Sequence, residues 1–293
     1  MQQILLALGF GLVSASIIAL ATVALSLQFS VTRTINFAHG ELMTVGAYAG
    51  YVVARNNGNV VFQVLAAVAA GALLAFTLNR TIFRTFRRLG VSVLILLILT
   101  IAASQVIQAL LQIGFGATSV DYPRPTGAAH KVGPFEWTST DMFTMVLALA
   151  VLIGVHVMIR RSKFGKAQRA VADDILLART TGIRAERIID ITWIIDGGIA
   201  GLAGMLLVFQ VGSFGPTVGF TFLLVIFSAA VVGGIGQMYG AMIGALIIGI
   251  VMEVGAIYVQ PDYKQTMAFV VLIVVLFIRP LGIIPARTEV TVL

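Results

Sequence analysis

The stretch ILLALGFGLVSASIIALATVALSL, residues 4–27, runs for 24 residues without a charged side chain. An α-helix rises about 1.5 Å per residue, so such a run is long enough to cross a hydrocarbon layer of about 30 Å. It exceeds the apolar core of a secretory leader, and Met1-Gln2-Gln3 ahead of it lacks a positive n-region, so it reads as a first membrane helix that is kept. Working outward, comparable stretches recur at roughly 38–54, 59–79, 89–113, 141–159, 191–211, 220–235, 239–259 and 266–284, the second and seventh being short. The chain as a whole is 59% hydrophobic and 11% charged with a mean hydropathy of +1.03, whereas soluble domains are about a quarter charged. The polar stretches 116–141 and 160–190 are too short and too poor in apolar residues for a separate core. The expected fold is therefore an all-α polytopic transmembrane bundle of about eight or nine spans, a single domain over 1–293.

The net charge of +7 resides in loops between the spans, where basic residues orient a membrane protein, so it does not point to nucleic acid. Basic clusters follow the third span (Arg80, Arg84, Arg87, Arg88) and the fifth (Arg160, Arg161, Lys163, Lys166, Arg169, Arg179, Arg184, Arg187). Placing both in the cytoplasm also puts Arg33, Arg279 and Arg287 there and leaves only Arg55, Arg124, Lys131 and Lys264 of the 19 basic residues outside. Nine spans then set the N-terminus outside and the C-terminus inside; eight spans, with the first or second segment re-entrant, fit nearly as well. The outside loop over 116–141, with Pro123, Pro125, Gly127, Gly133 and Pro134, is expected to be irregular with at most a short hairpin. No internal duplication is found, so the second half of a two-fold pathway must come from another chain.

With no cysteine, the chain has no disulfide, thiolate metal site or cysteine nucleophile. Four features remain. In Thr34-Ile35-Asn36-Phe37-Ala38-His39-Gly40-Glu41, polar groups reach membrane depth, where they usually face a cavity or a partner. On a helix Asn36, His39, Gly40 and Met43 share a face and Glu41 points elsewhere. Asn36 as a cap with Glu41 on the helix dipole is one reading, and lining a transport path is another; the two are compatible. HExxH spacing is absent, so no metal site is assigned. His156, near the basic end of the fifth span, is expected to hydrogen-bond at the interface.

The second feature is the segment 160–190, in which 168–181 reads as an amphipathic helix, Gly182 as its stop, and 185–190 as a second short helix. Such a helix can rest on lipid headgroups or fill a groove in a cytosolic partner. The third is the glycine pattern. Gly236, Gly240 and Gly244 align on one face for close helix packing, as do Gly197, Gly201 and Gly204, with Ala200 on the same side. The phosphate-cradling GxxxxGK[ST] pattern is absent. The fourth is the pair of in-span carboxylates Asp196 and Glu253. Asp196 is close enough to the cytoplasmic end for hydration to explain it, which makes Glu253 the better candidate for a buried polar role.

Ile35-Asn36-Phe37-Ala38-His39-Gly40-Glu41, the stretch 165–174 followed by Thr181-Gly182-Ile183, the stretch 230–244 and Tyr263-Lys264 occur in order along nearly the whole chain. In these motifs the sequence resembles the LivH branch of the LivH/LivM permeases, membrane subunits of ABC importers for branched-chain amino acids whose wider family also serves urea, amides and other amino acids. It departs from that pattern at Gln28, Phe29, Ser30 and Arg33, where relatives are glycine-rich, and over 116–141.

The resemblance implies a permease without catalytic residues in the bacterial inner membrane, paired with a LivM-like subunit or a second copy. It further implies two cytosolic ATPase subunits that hold ATP and Mg, this chain binding no cofactor, and an extracytoplasmic solute-binding protein. Residues 170–183 correspond to the family's ATPase-coupling region, which makes Arg169, Ala172, Asp173, Asp174 and Gly182 contact or hinge candidates. Asn36, His39, Gly40, Glu41 and Glu253 are the candidates for the translocation path. A stand-alone secondary transporter would favour internal repeats and ion-coupling carboxylates, and an intramembrane enzyme would need paired catalytic groups.

Overall fold

The computed structural model describes residues 2–123, 129–260 and 263–284; Arg124, Pro125 and Gly127 of the outside loop and Arg287 lie outside the described residues. The helices are α1 Gln2–Thr32, α2 His39–Arg55, α3 Val60–Leu78, α4 Arg84–Arg88, α5 Val93–Phe115, α6 Ser139–Arg161, α7 Lys163–Asp173, α8 Ile175–Thr180, α9 Ala185–Val211, α10 Val218–Gly233, α11 Met238–Tyr258 and α12 Lys264–Ile278. A π-helical turn, Asn79–Phe83, joins α3 to α4. Among the described residues, six helical stretches are long and apolar enough to cross a membrane, and α10 and α12 are shorter apolar helices. Each of the nine expected stretches overlaps a helix, and α2, at 17 residues, belongs neither to the six long stretches nor to the shorter apolar helices.

Local chemistry accounts for the boundaries. Ser92 and Asn59 cap α5 and α3 with their side chains, and Thr138 with Asp141 forms a reciprocal capping box on α6. In the loop before α6, β2 Ala129–Val132 and β3 Phe135–Thr138 pair as an antiparallel hairpin, in register at His130 and Trp137. A two-residue bridge ties β1 Val120–Asp121 to β4 Ser213–Phe214, clamping the chain after α5 to the chain after α9.

α9 is the central strut, packed against α1, α2 and α3. Its glycines permit this: a Cβ on Gly197 would collide with Gly71 of α3, one on Gly201 with Ala67 of α3, and one on Gly204 with the backbone of Met43 of α2. Gly240 and Gly244 of α11 press in the same way on Gly233 and Ala229 of α10. Gly236 does not join them. It lies in the loop between α10 and α11 at φ +84°, against Phe29, so the expected three-glycine face has two members on the helix.

Around this core α3, α5, α6 and α12 turn Leu73, Ile113, Val146 and Phe277 outward at 66%, 83%, 68% and 87% exposure, as a lipid-facing surface requires. At one end, here the basic end, Arg84 pairs with Glu186 at 3.1 Å and Asp190 at 3.6 Å. Beside it Asn79 donates to Asp190 and accepts from Arg87, each at 2.7 Å, so the π turn carries a polar clamp between α3 and α9.

Candidate functional site

Between α1 and α2 the chain folds back into the bundle. Arg33 takes φ +53°, and the next residues climb beside α1 until α2 begins at His39. The start of a helix leaves backbone N–H groups without intrahelical partners, and inside an apolar bundle each must find an acceptor. Phe37 N–H donates to Thr100 Oγ1 of α5 at 3.2 Å and Ala38 N–H to Asn36 Oδ1 at 3.0 Å, while the Asn36 amide donates to Gln28 of α1 at 3.2 Å. Asn36 is thus not the cap residue. That position is Ala38, without a side-chain cap, and Asn36 forms a turn just ahead of it.

The residues that follow point in three directions, because a helix separates successive side chains by about 100°. His39 faces α1 and α9. Its Nε2 lies 3.1 Å from the Ala21 carbonyl, which can only accept, so Nε2 carries a hydrogen. Its Nδ1 lies 3.2 Å from Asp196 Oδ1, within ion-pair range though without straight hydrogen-bond alignment. The pair is wholly buried.

Glu41 faces α5, accepting from Ser104 at 3.1 Å and Gln108 at 2.8 Å. Gly40 faces α10, where a Cβ would collide with Gly219, and the Gly219 N–H donates to Thr44 at 3.1 Å. Asn36, His39 and Glu41 are 2%, 0% and 0% exposed, so in this conformation all three are enclosed by neighbouring helices.

The two in-span carboxylates are reversed from the expectation. Asp196 is the buried one, paired with His39, because α9 begins six residues before the expected span and carries position 196 well into the bundle. Glu253 is partly exposed. It accepts from Ser14 at 2.9 Å and pairs with Lys264 at 2.7 Å, and it borders a cavity of about 800 Å³ at the end opposite the basic one. Val218 lies on the wall of that cavity, next to the Gly219 that touches Gly40. At the basic end a second cavity of about 700 Å³ opens between Arg33, Arg169, Asp173 and the loop before α11.

Positions along α1 show how the two cavities are separated. Ser14 and Ile18 line the first, Leu27 and Ser30 the second, and Ala21, the partner of His39, lies between them. From 18 to 27 the helix rises about 13 Å, so a thin partition containing the His39 and Glu41 contacts divides two cavities entering from opposite ends.

The segment after α6 differs from its expected form. Instead of one helix over 168–181, α7 starts at Lys163, capped by Ser162, and ends at Asp173. Asp174, at φ −149° and ψ 112°, breaks the helix and caps α8 by accepting from the N–H groups of Leu176 and Leu177 at 2.7 and 3.0 Å. Gly182, at φ +85°, ends α8, and Ile183 N–H returns to the Ala178 carbonyl at 3.0 Å. The expected short helix at 185–190 is the first turn and a half of α9 itself.

The segment is held to the bundle by Arg33, which donates to the Ala172 carbonyl at 2.7 Å, and by Arg169, which donates to the Ile159 carbonyl. Leu176 and Leu177 are left 68% and 63% exposed. His156 makes a hydrogen bond with Tyr239 at 2.8 Å, near the basic residues Arg160 and Arg161.

Sequence reasoning missed the partners more than the residues. Ser104 and Gln108, four apart among the uncharged polar residues of the fourth span, were the available signal for a polar contact to Glu41. Nothing in the sequence paired His39 with Asp196 or Glu253 with Lys264, because each pair joins different helices.

The family profile described as "Branched-chain amino acid transport system / permease component" matches residues 7–276. The chain is 31% identical to the high-affinity branched-chain amino acid transport system permease protein LivH of Escherichia coli strain K12, over 96% of this chain and 94% of that one. It is 31% identical to the corresponding permease protein BraD of Pseudomonas aeruginosa, over 96% and 95%. No solved structure matches it. With a profile match over nearly its whole length and two such relatives, this multi-pass helical membrane chain belongs to the branched-chain amino acid transport permease family, whose members serve transport and not catalysis.

Proposed function

We propose that this chain is the membrane-spanning permease subunit of an ABC importer that carries branched-chain amino acids across the bacterial inner membrane. ATP and Mg are held by two cytosolic ATPase subunits, a second permease chain completes the path, and an extracytoplasmic binding protein delivers the solute. Membership of the family supports ATPase and binding-protein partners in general.

The observation that carries the reading is the α7–α8 projection. It sits at the basic end, which the positive-inside rule assigns to the cytoplasm. Its two exposed leucines lie on a short helix that carries Arg179 in its last turn and is followed by Arg184, and an apolar pair of this kind suits a groove in a soluble partner. Gly182 leads from this projection straight into α9, whose Asp196 and glycines touch the partition between the two cavities. A push on α8 is thereby delivered to the helix that holds the partition. An ATPase shifts the balance between outward-open and inward-open states only by binding them unequally, and this segment is where it can do so.

The test is reconstitution of the whole assembly in liposomes. Leucine, isoleucine and valine are expected to stimulate ATP hydrolysis and to accumulate only with ATP. Uptake without the ATPases would overturn the importer reading in favour of a stand-alone transporter, and stimulation by urea or short amides alone would overturn the solute.

A further inference from the structure

The Glu253–Lys264 ion pair has no part in the partition, and its setting is unusual for a charge pair in an apolar bundle. It joins α11 to the first residue of α12, and the two side chains are 16% and 34% exposed, both on the wall of the 800 Å³ cavity. That volume falls in the range of roughly 300–1,000 Å³ typical of small-molecule sites. The His39–Asp196 pair, by contrast, is sealed from any solute. Ser14 holds one Glu253 oxygen and Lys264 the other, so the carboxylate has a defined orientation. Leu207, Val218, Phe222 and Met252 form apolar wall in the same cavity.

We infer that Glu253 and Lys264 recognise the α-ammonium and α-carboxylate of a free amino acid in the outward-facing cavity, while the apolar wall takes its branched side chain. The inference rests on the proposed importer function and names the charge recognition within it. A zwitterion inserted between the two residues replaces one ion pair by two, Glu253 with the solute's ammonium and Lys264 with its carboxylate, and the cavity stays neutral. A solute lacking either charge leaves one protein charge without a partner in a partly desolvated site, which is costly. The arrangement therefore favours α-amino acids over amides, urea or simple carboxylic acids. Delivery by a binding protein remains compatible with this, since the pair acts once the solute has been released into the cavity.

The experiment measures ATP-driven uptake of radiolabelled leucine by liposomes holding the complete assembly with its binding protein, per assembled complex. It compares wild type with Glu253→Gln, Lys264→Gln, the double neutral variant Glu253→Gln/Lys264→Gln, and the exchange Glu253→Lys/Lys264→Glu. All four are expected to lose at least about tenfold in uptake, as sites built for polar groups do when a partner is removed.

A merely structural ion pair behaves differently. The double neutral variant removes both charges together and the exchange rebuilds the pair, so either would restore uptake to near wild type, and such recovery overturns the inference. Failure of all four variants to assemble also overturns it, by making the pair part of the scaffold. A wild-type assembly that moves leucine separates these results from the importer proposal; one that moves no amino acid overturns both.

Discussion

The partition around α2 and α9 and the α7–α8 projection invert each other's burial. In the first, His39, Glu41 and Asp196 are fully enclosed while apolar side chains cover the outside of the bundle; in the second, Leu176 and Leu177 are exposed while charged residues anchor the helix. Both follow from one rule, that each group goes where its partner is. A polar group at membrane depth has no water and must find a partner within the protein, as His39 does in Asp196. Leucines left as exposed as Leu176 and Leu177 on a projecting helix are available to a neighbour in another chain. The contrast teaches that a misplaced polarity marks an internal strut in the one case and a contact surface in the other.

The comparison is broken most forcefully at the strut. Gly201→Leu sets a side chain against the α3 backbone at Ala67 and Gly71, and loss of the folded chain is expected, read as the absence of a monodisperse peak after detergent extraction. Asp196→Leu removes the partner of His39 and leaves a buried polar group alone, costing about 3–5 kcal/mol. Adding His39→Leu to it should recover most of that loss in a thermal unfolding series, whereas no recovery would show that the two residues do not act as a pair.

The projection should respond the other way. Leu176→Ser with Leu177→Ser leaves stability within about 0.5 kcal/mol, as exposed substitutions do, and weakens capture of the ATPase by about 1.5–3 kcal/mol for each leucine that its groove buries. Unchanged capture would remove α8 from the contact. Asp173→Lys, also exposed, tests the charge of the same surface without disturbing the fold. Asp174 is less clean, because Asp174→Ala also removes the cap of α8 at about 1 kcal/mol, seen as a small drop in melting temperature. An effect on capture larger than that cap accounts for would give Asp174 a contact of its own.

How much was legible is clearest from single residues. Gly182 was read as a helix stop and is one, since a positive φ is a local demand that the residue type announces. The break at Asp174 was not read, although Asp is a strong cap, because the same residue sits comfortably on the surface of a longer helix. Gly240 and Gly244 were placed on a packing face and Gly236 with them; spacing alone could not reveal that the helix starts only at Met238. The burial of Asp196 goes with an α9 that starts at Ala185 and not near 191, whereas the setting of Glu253 comes from its pairing with Lys264 on another helix.

By itself the sequence determined that the chain is a bundle of membrane helices, which end carries the basic residues, and which polar residues the membrane must accommodate. Those properties depend on hydrophobicity and charge along the chain, and both are additive over short windows. Only the tertiary structure decided that His39 meets Asp196, that Glu41 meets Ser104 and Gln108, and that Glu253 faces a cavity beside Lys264. The reason is geometric: a partner on another helix is chosen by rotation about two helix axes and by depth, quantities that glycine contacts and caps set jointly and that no local run of residues contains.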